Sequence, residues 1–380
     1  MALLRSWLLG VVGLLALSLP FPIAGCGQGN IKRSLDLRSR GDDDLVALLP
    51  RPLDAVLDVD LSGPTGLKQL ASLDELLALL PSGVITSLEQ LCDHPTLSLE
   101  AVAVGISGMG TPSPEIAVLV RGDLQKERIF AAVRRRAGQA ASTVQYHGVP
   151  LVEASPSGAQ SGAADAGPAD GGADSSLGQY AAIDPAHSAA AAMLTPKTVV
   201  FGSRLSTRQV VDIFRGEEEG VRAQADLMNA LARAPRAKTG RPAVLLASLL
   251  APAVRERLSA FGVPELAEHG DFLSVALAVG DGIDVGIVVG YRTQEAATRA
   301  VRGLQERTAE LRRRPVLAFI GLASYLEPLQ LVAAPKNARR AQPELHVAYR
   351  LPGDELSQLI KQVARLKQLD LKAPGSPAAP

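Results

Sequence analysis

Two apolar runs facing each other across one dipeptide set the strongest limit on what this chain can fold into. Residues 271–280 (DFLSVALAVG) and 283–291 (IDVGIVVGY) flank Asp281-Gly282. Asp-Gly between strand-like runs is a hairpin signal, because both residues tolerate the backbone angles a tight turn needs. Runs of the same kind recur. Residues 99–107 (LEAVAVGIS) and 115–121 (EIAVLVR) are separated by the Gly/Pro-rich segment 108–112, and 143–147 and 149–153 are separated by Gly148. Strands joined by hairpins make antiparallel sheets.

Other segments have helical spacing. They cover 66–80, 84–92, 124–137, 205–215, 221–233, 251–261, 293–312, 315–326 and 353–368. Asp123 is placed to cap the helix at 124–137, and Ser203 or Ser206 the one at 205–215, which Gly216 ends. Residues 54–61 (DAVLDVDL) alternate, so Ala55, Leu57, Val59 and Leu61 should be buried while Asp58 and Asp60 face solvent. Further strands are predicted at 243–249, 329–333 and 344–350, with two short ones within 190–202 that complete the first sheet.

The order strand, helix, hairpin, helix, strands, helix occurs twice. EIAVLVRGDLQKERIFAAVRRR is matched by DVGIVVGYRTQEAATRAVRGLQ, and TVVFGSRLSTRQVVDIF by LHVAYRLPGDELSQLIKQV. The expected fold class is therefore α+β: a tandem duplication of a unit with an antiparallel sheet and helices on one face. The first unit spans 46–216 and contains an Ala/Gly/Ser/Pro/Asp-rich loop, 154–189, expected to be disordered. A charged linker helix region covers 217–241, the second unit 242–370, and a Pro/Ala tail 371–380. The layout loosely resembles that of two-repeat bacterial envelope proteins of uncharacterised role, a likeness that carries no function with it.

The N-terminus carries a different kind of information. Arg5 precedes an almost wholly apolar run, 7–19 (WLLGVVGLLALSL), followed by Pro20 and Pro22. A membrane-spanning helix needs about 20 apolar residues, whereas a secretory h-region has about 7–15. The next residues are Ile23-Ala24-Gly25-Cys26. This tetrad resembles the lipobox of bacterial lipoproteins, an aliphatic residue and two small ones before an invariant Cys. The resemblance implies a signal peptide at 1–25, cleavage between Gly25 and Cys26, and a diacylglyceryl group on the Cys26 thiol. Two or three acyl chains give a stable anchor where one holds only marginally. It also implies a cell-envelope location, with Gly27 rather than Asp after the Cys favouring the outer membrane in a diderm host. Residues 26–45 then read as a polar tether, and its Asp42-Asp43-Asp44 as a solvated helix cap.

Composition excludes some classes of function. Lys+Arg and Asp+Glu both number 39, so there is no basic excess for nucleic acid. Aromatics are 3%, too few for stacking platforms. With Cys26 lipidated, Cys92 has no disulfide partner and reads as a buried thiol. The histidines 94, 147, 187, 269 and 346 are scattered, with only Cys92-x-His94 placing two soft ligands together. A zinc site wants three or four ligands, so no metal site is expected.

Gly105–Gly110 and Gly63–Lys68 lack phosphate-loop spacing, and Arg121-Gly122-Asp123 reads as a strand-to-helix turn. The Arg runs 134–136 and 312–314 complement helix C-termini, with anionic lipid headgroups as the alternative role. No catalytic residue, cofactor site or metal ligand is assigned. The expected partners are the membrane, through lipid on Cys26, and an envelope protein or hydrophobic ligand. The alternatives are a solute-binding lipoprotein, which would need a cleft between the halves, and an anchored hydrolase with an unrecognised site.

Overall fold

The computed structural model describes residues 44–61, 99–109, 111, 114–137, 141–154, 189–235, 242–252, 254–256, 269–313, 329–336, 342–355 and 358. Cys26 and its lipobox, Asp42 and Asp43, Cys92 and His94, the loop after Ala154, the tail 371–380, and the helices at 66–80, 84–92 and 315–326 lie outside these residues. So does most of the helices expected at 251–261 and 353–368.

The strands are β1 (Ala55–Asp60), β2 (Leu99–Ser107), β3 (Glu115–Gly122), β4 (Ala141–Tyr146), β5 (Val149–Ala154), β6 (Ala190–Thr195) and β7 (Thr198–Gly202). They continue with β8 (Val244–Leu249), β9 (Gly270–Val279), β10 (Gly282–Tyr291), β11 (Gln330–Ala334) and β12 (Glu344–Pro352). The helices are α1 (Lys126–Ala137), α2 (Arg204–Arg215), α3 (Ala225–Arg233) and α4 (Gln294–Arg312). Short 3-10 turns occupy Leu45–Leu48 and Val221–Ala223. Among the described residues no helix is long and apolar enough to cross a membrane.

Among the described residues all twelve strands belong to one sheet of order β11-β12-β10-β9-β8-β1-β2-β3-β7-β6-β5-β4. Every pairing is antiparallel. The two halves of the chain meet where β1 pairs with β8, with Leu57 opposite Leu246.

Register carries one row of side chains across the whole sheet. From one edge to the other it reads Thr143, Val152, Ala191, Phe201, Val118, Val104, Leu57, Leu246, Val275, Ile287, Val347, Leu331. Side chains in one row point to one face, so this ladder is a nearly continuous apolar stripe. α1 covers one end of that face through Ile129, Phe130 and Val133. α4 covers the other through Ala296, Ala297 and Ala300.

The opposite face carries small residues at the matching positions: Ala190, Gly202, Ala117, Gly105, Val56, Ala247 and Ser274. Small residues let covering elements approach closely. A Cβ at Gly105 would meet Leu53 Cδ1 at 2.8 Å. Gly202 is required for a different reason: at its φ of 156° a Cβ would meet the Ile116 carbonyl oxygen of the neighbouring strand β3 at 2.0 Å. α2 lies on this face with Val210, Val211 and Ile213 buried, and so does α3, with Leu227 and Ala230 buried. The Ser274 hydroxyl donates to the Ala230 carbonyl and ties α3 to β9. Leu45, Val46, Leu48 and Leu49 fill the space between α2, α3 and β1.

Two expectations are corrected here. Helices cover both faces of the sheet rather than one. Hairpin connectivity makes a sheet antiparallel, but it does not decide which side a later helix returns to. Nor does the row that Asp58 and Asp60 belong to face open solvent. Asp60 is 7% exposed and Asp58 is half-buried. Within 217–241, where a linker helix is expected, α3 forms, and its apolar side is part of the core.

Because β1 and β8 share backbone hydrogen bonds, the halves should unfold together. Urea denaturation is expected to give one transition by circular dichroism and by fluorescence, and two resolved transitions would break this reading. Val59 is fully buried beside the seam. Val59→Ala should cost about 2 kcal/mol and lower amide protection in both β3 and β10 by hydrogen exchange.

Candidate functional site

Outside the core, the densest polar cluster sits where α2 crosses the β4–β5 hairpin. Arg204, Arg208 and Asp212 are four residues apart on α2 and form one stripe along it. The helix begins at Ser203, whose Oγ accepts from the Ser206 amide at 3.1 Å. Ser206 Oγ in turn donates to Glu115 Oε2 at 3.0 Å, holding the helix start against β3. Ser203, rather than Ser206, is the cap.

At the other end Gly216 takes φ 80°. Its amide donates to the Ile213 carbonyl at 2.9 Å, and the Glu217 amide donates to the Asp212 carbonyl at 2.9 Å. This pair of bonds is a Schellman closure. It folds the chain back so that Glu217 returns beside Asp212. The hairpin supplies the facing group. His147 and Gly148 form its two-residue turn with φ of 48° and 77°, between Tyr146 and Val149, which are paired. Two successive positive φ values mark a type I′ turn, whose twist matches that of the strands.

Glu153 of β5 is buried in the small-residue face, and two arginines neutralise it. Arg208 binds it through both carboxylate oxygens, Nη2 to Oε1 at 2.6 Å and Nε to Oε2 at 3.0 Å. Arg204 Nε reaches Oε2 at 3.2 Å. A buried carboxylate needs such partners, since an unpaired one would cost several kcal/mol. The Arg208 guanidinium also lies 5.1 Å from the centre of the Tyr146 ring.

The Tyr146 hydroxyl donates to Asp212 Oδ2 at 3.1 Å. Burial, and then this bond and the Asp212 charge, push the phenol above its ordinary pKa of 10.0. Tyr146 therefore stays a proton donor to Asp212 through the neutral range. His147 completes the group, with Nδ1 3.0 Å from Glu217 Oε1 and Nε2 3.6 Å from Asp212 Oδ1. Its ring stacks edge-on against Tyr146 at 4.5 Å. One atom from each of His147, Asp212 and Glu217 falls within 4.8 Å of the others.

The arrangement offers a fixed imidazole, two carboxylates and a phenol donor. It suits binding a cation or holding a proton. The described residues place no serine or cysteine nucleophile against His147.

The residues singled out from sequence fare differently. Cys26 and Gly25 lie outside the described residues. Asp58 and Asp60 lie on the small-residue face of β1, opposite Ala103 and Ala101 of β2. Asp44 forms an ion pair with Arg222. Gly105, Ile106 and Ser107 belong to β2, and Gly108 turns the chain with φ 67°, its carbonyl accepting from the Thr111 amide. Arg121 and Gly122 end β3, with Arg121 Nε 3.6 Å from Glu100 Oε2. Arg134 reaches Thr143 Oγ1 from the last turns of α1, and Arg312 ends α4, on the same face of the sheet.

The cluster around His147 was not visible in sequence, because Tyr146 and Asp212 are 66 residues apart. The one local signal was the four-residue spacing of Arg204, Arg208 and Asp212. Comparison of the chain with protein-family models, curated proteins and solved structures finds no match.

Glu153→Gln keeps shape and removes the charge that Arg204 and Arg208 share. Both arginines retain some solvent, so the expected loss is about 2 kcal/mol, less than for a fully buried pair. Urea unfolding of the variant checks this, and a change within about 0.5 kcal/mol would mean the pairing contributes nothing net.

Proposed function

We propose that this chain is a lipid-anchored protein of the bacterial cell envelope whose folded part is a non-enzymatic binding or scaffold module. The observation that carries the proposal is the sequence Ile23-Ala24-Gly25-Cys26 after Arg5, the apolar run 7–19 and the two prolines. In that reading Cys26 is the first residue of the mature chain and bears the lipid. Residues 27–43 then link the lipid to the folded body, which begins at Asp44 and Leu45.

The architecture favours a scaffold over a solute binder that closes on its ligand. Such a binder needs two bodies with a cleft between them. Here β1 and β8 are joined by backbone hydrogen bonds, and Val56, Val59, Val244 and Ala247 at the seam are buried. A seam of that kind is stiff and leaves no space for a ligand between the strands.

We also infer that the two halves arose by duplication of one antiparallel-sheet-plus-helices unit. Counting outward from the seam, the strand order β1-β2-β3-β7-β6 on one side corresponds to β8-β9-β10-β12-β11 on the other. α1 follows β3 as α4 follows β10, and both helices lie on the same face. An antiparallel central pair with equivalent helices on one face is what a twofold axis normal to the sheet produces. In this reading the β4–β5 hairpin is an addition to the first unit.

The anchor is tested by expressing the full chain and a Cys26→Ser form, taking intact masses and fractionating the envelope. The expected result is an acyl mass, a mature N-terminus at Cys26 and membrane association, all lost in the variant. An unmodified Cys26 in a protein that stays out of the membrane fraction would overturn the proposal.

A further inference from the structure

We propose that His147, Asp212 and Glu217 form a binding site for a divalent transition-metal ion of the zinc class, which fastens the tip of the β4–β5 hairpin to the C-terminal end of α2.

The donor set comes first. One imidazole and two carboxylates suit zinc and its first-row neighbours, whereas calcium and magnesium take oxygen ligands alone. Two carboxylate charges balance a divalent ion. Arg208, which lies over the Tyr146 ring, is already committed to Glu153.

The spacing fits as well. Zinc bonds of about 2.0–2.1 Å in tetrahedral geometry set donors about 3.3 Å apart. The His147 Nε2 to Asp212 Oδ1 separation is 3.6 Å. One ring nitrogen alone can bind the ion, so Glu217, now on the Nδ1 side, is the arm that turns. Its side chain is 48% exposed and is able to do so.

A separate observation points to a ligand. Asp212 Oδ1 is closed to solvent and accepts no hydrogen bond, its ion-pair contact with His147 Nε2 at 3.6 Å being too long for one. Its sister oxygen, Oδ2, is held by the Tyr146 hydroxyl. Metal-bound carboxylates are commonly oriented this way, one oxygen fixed by an outer donor and the other free for the ion. A buried acceptor with nothing to accept is otherwise unfavourable.

Both ligand arms are also set by stiff local motifs. The type I′ turn fixes the backbone of His147, and the Schellman closure at Gly216 fixes Glu217 next to Asp212. The inference rests on these residues alone and is independent of the lipid anchor.

The test uses full-length protein in detergent, freed of metal by a chelator. Zinc is titrated by calorimetry, and cobalt is followed by its visible ligand-field bands. The expected result is one zinc per chain and cobalt bands of a low-coordinate nitrogen/oxygen site. His147→Asn removes the imidazole but keeps the turn, because Asn-Gly is a favoured type I′ pair. It should weaken zinc binding about 100-fold while leaving the metal-free melting temperature and circular dichroism unchanged. Tyr146→Phe, a positioning change, should weaken it about 10-fold and shift the cobalt bands. Absence of saturable zinc binding by the parent protein would overturn the proposal. So would undiminished binding by the His147→Asn form. A loss of metal-free stability in His147→Asn, with no zinc effect in either form, would mean that the imidazole is only an ion-pair partner of the two carboxylates, and the metal site would be rejected.

Discussion

The backbone pairing of β1 with β8 is the contact on which the rest of the molecule depends. It turns two short sheets into one and gives each half a neighbour on what would otherwise be an exposed edge. An unpaired central edge would present a row of free amides and carbonyls to other chains. Pairing the two edges satisfies both sets at once. It also joins the apolar ladders of the two halves into one row running from Val152 to Leu331, so each half packs its helices on a surface partly supplied by the other.

The two faces of this sheet divide the work between them. The ladder face carries Val, Leu, Ile and Phe and receives α1 and α4. The other face mixes Gly, Ala and Ser with larger residues such as Leu119 and Val200, and receives α2, α3 and the first 3-10 turn. Close approach brings α2 over the hairpin, and polar groups on its edge stripe come within reach of Tyr146, His147 and Glu153. The cluster there follows from small side chains several strands away. A larger residue at Gly202, for example, would strike the Ile116 carbonyl and displace the start of α2.

Much of the secondary structure was legible from the chain. β2 and the β9–β10 and β4–β5 hairpins fall within a residue or two of expectation, because alternation and turn residues act over short distances. What misled was the placing of helices on one face only. Segments such as 101–104 (AVAV) and 199–201 (VVF) are apolar at successive positions, which is the pattern of strands covered on both sides. In β1, Asp58 and Asp60 masked that pattern by mimicking a solvent-facing alternation. They lie mid-sheet between β2 and β8, strands that no local window contains.

The sequence by itself determined the local elements and the antiparallel character of their pairing, and it alone carries the tetrad Ile23-Ala24-Gly25-Cys26 that resembles a lipobox. Each depends on neighbours a few residues apart: turn dihedrals, side-chain period, or a contiguous run of apolar and small residues. Only the tertiary structure decided that the halves share one sheet, that both faces are covered, and that His147 meets Asp212 and Glu217. Those outcomes are set by register and close packing between segments far apart in the chain, where geometry, and not spacing, fixes which groups touch.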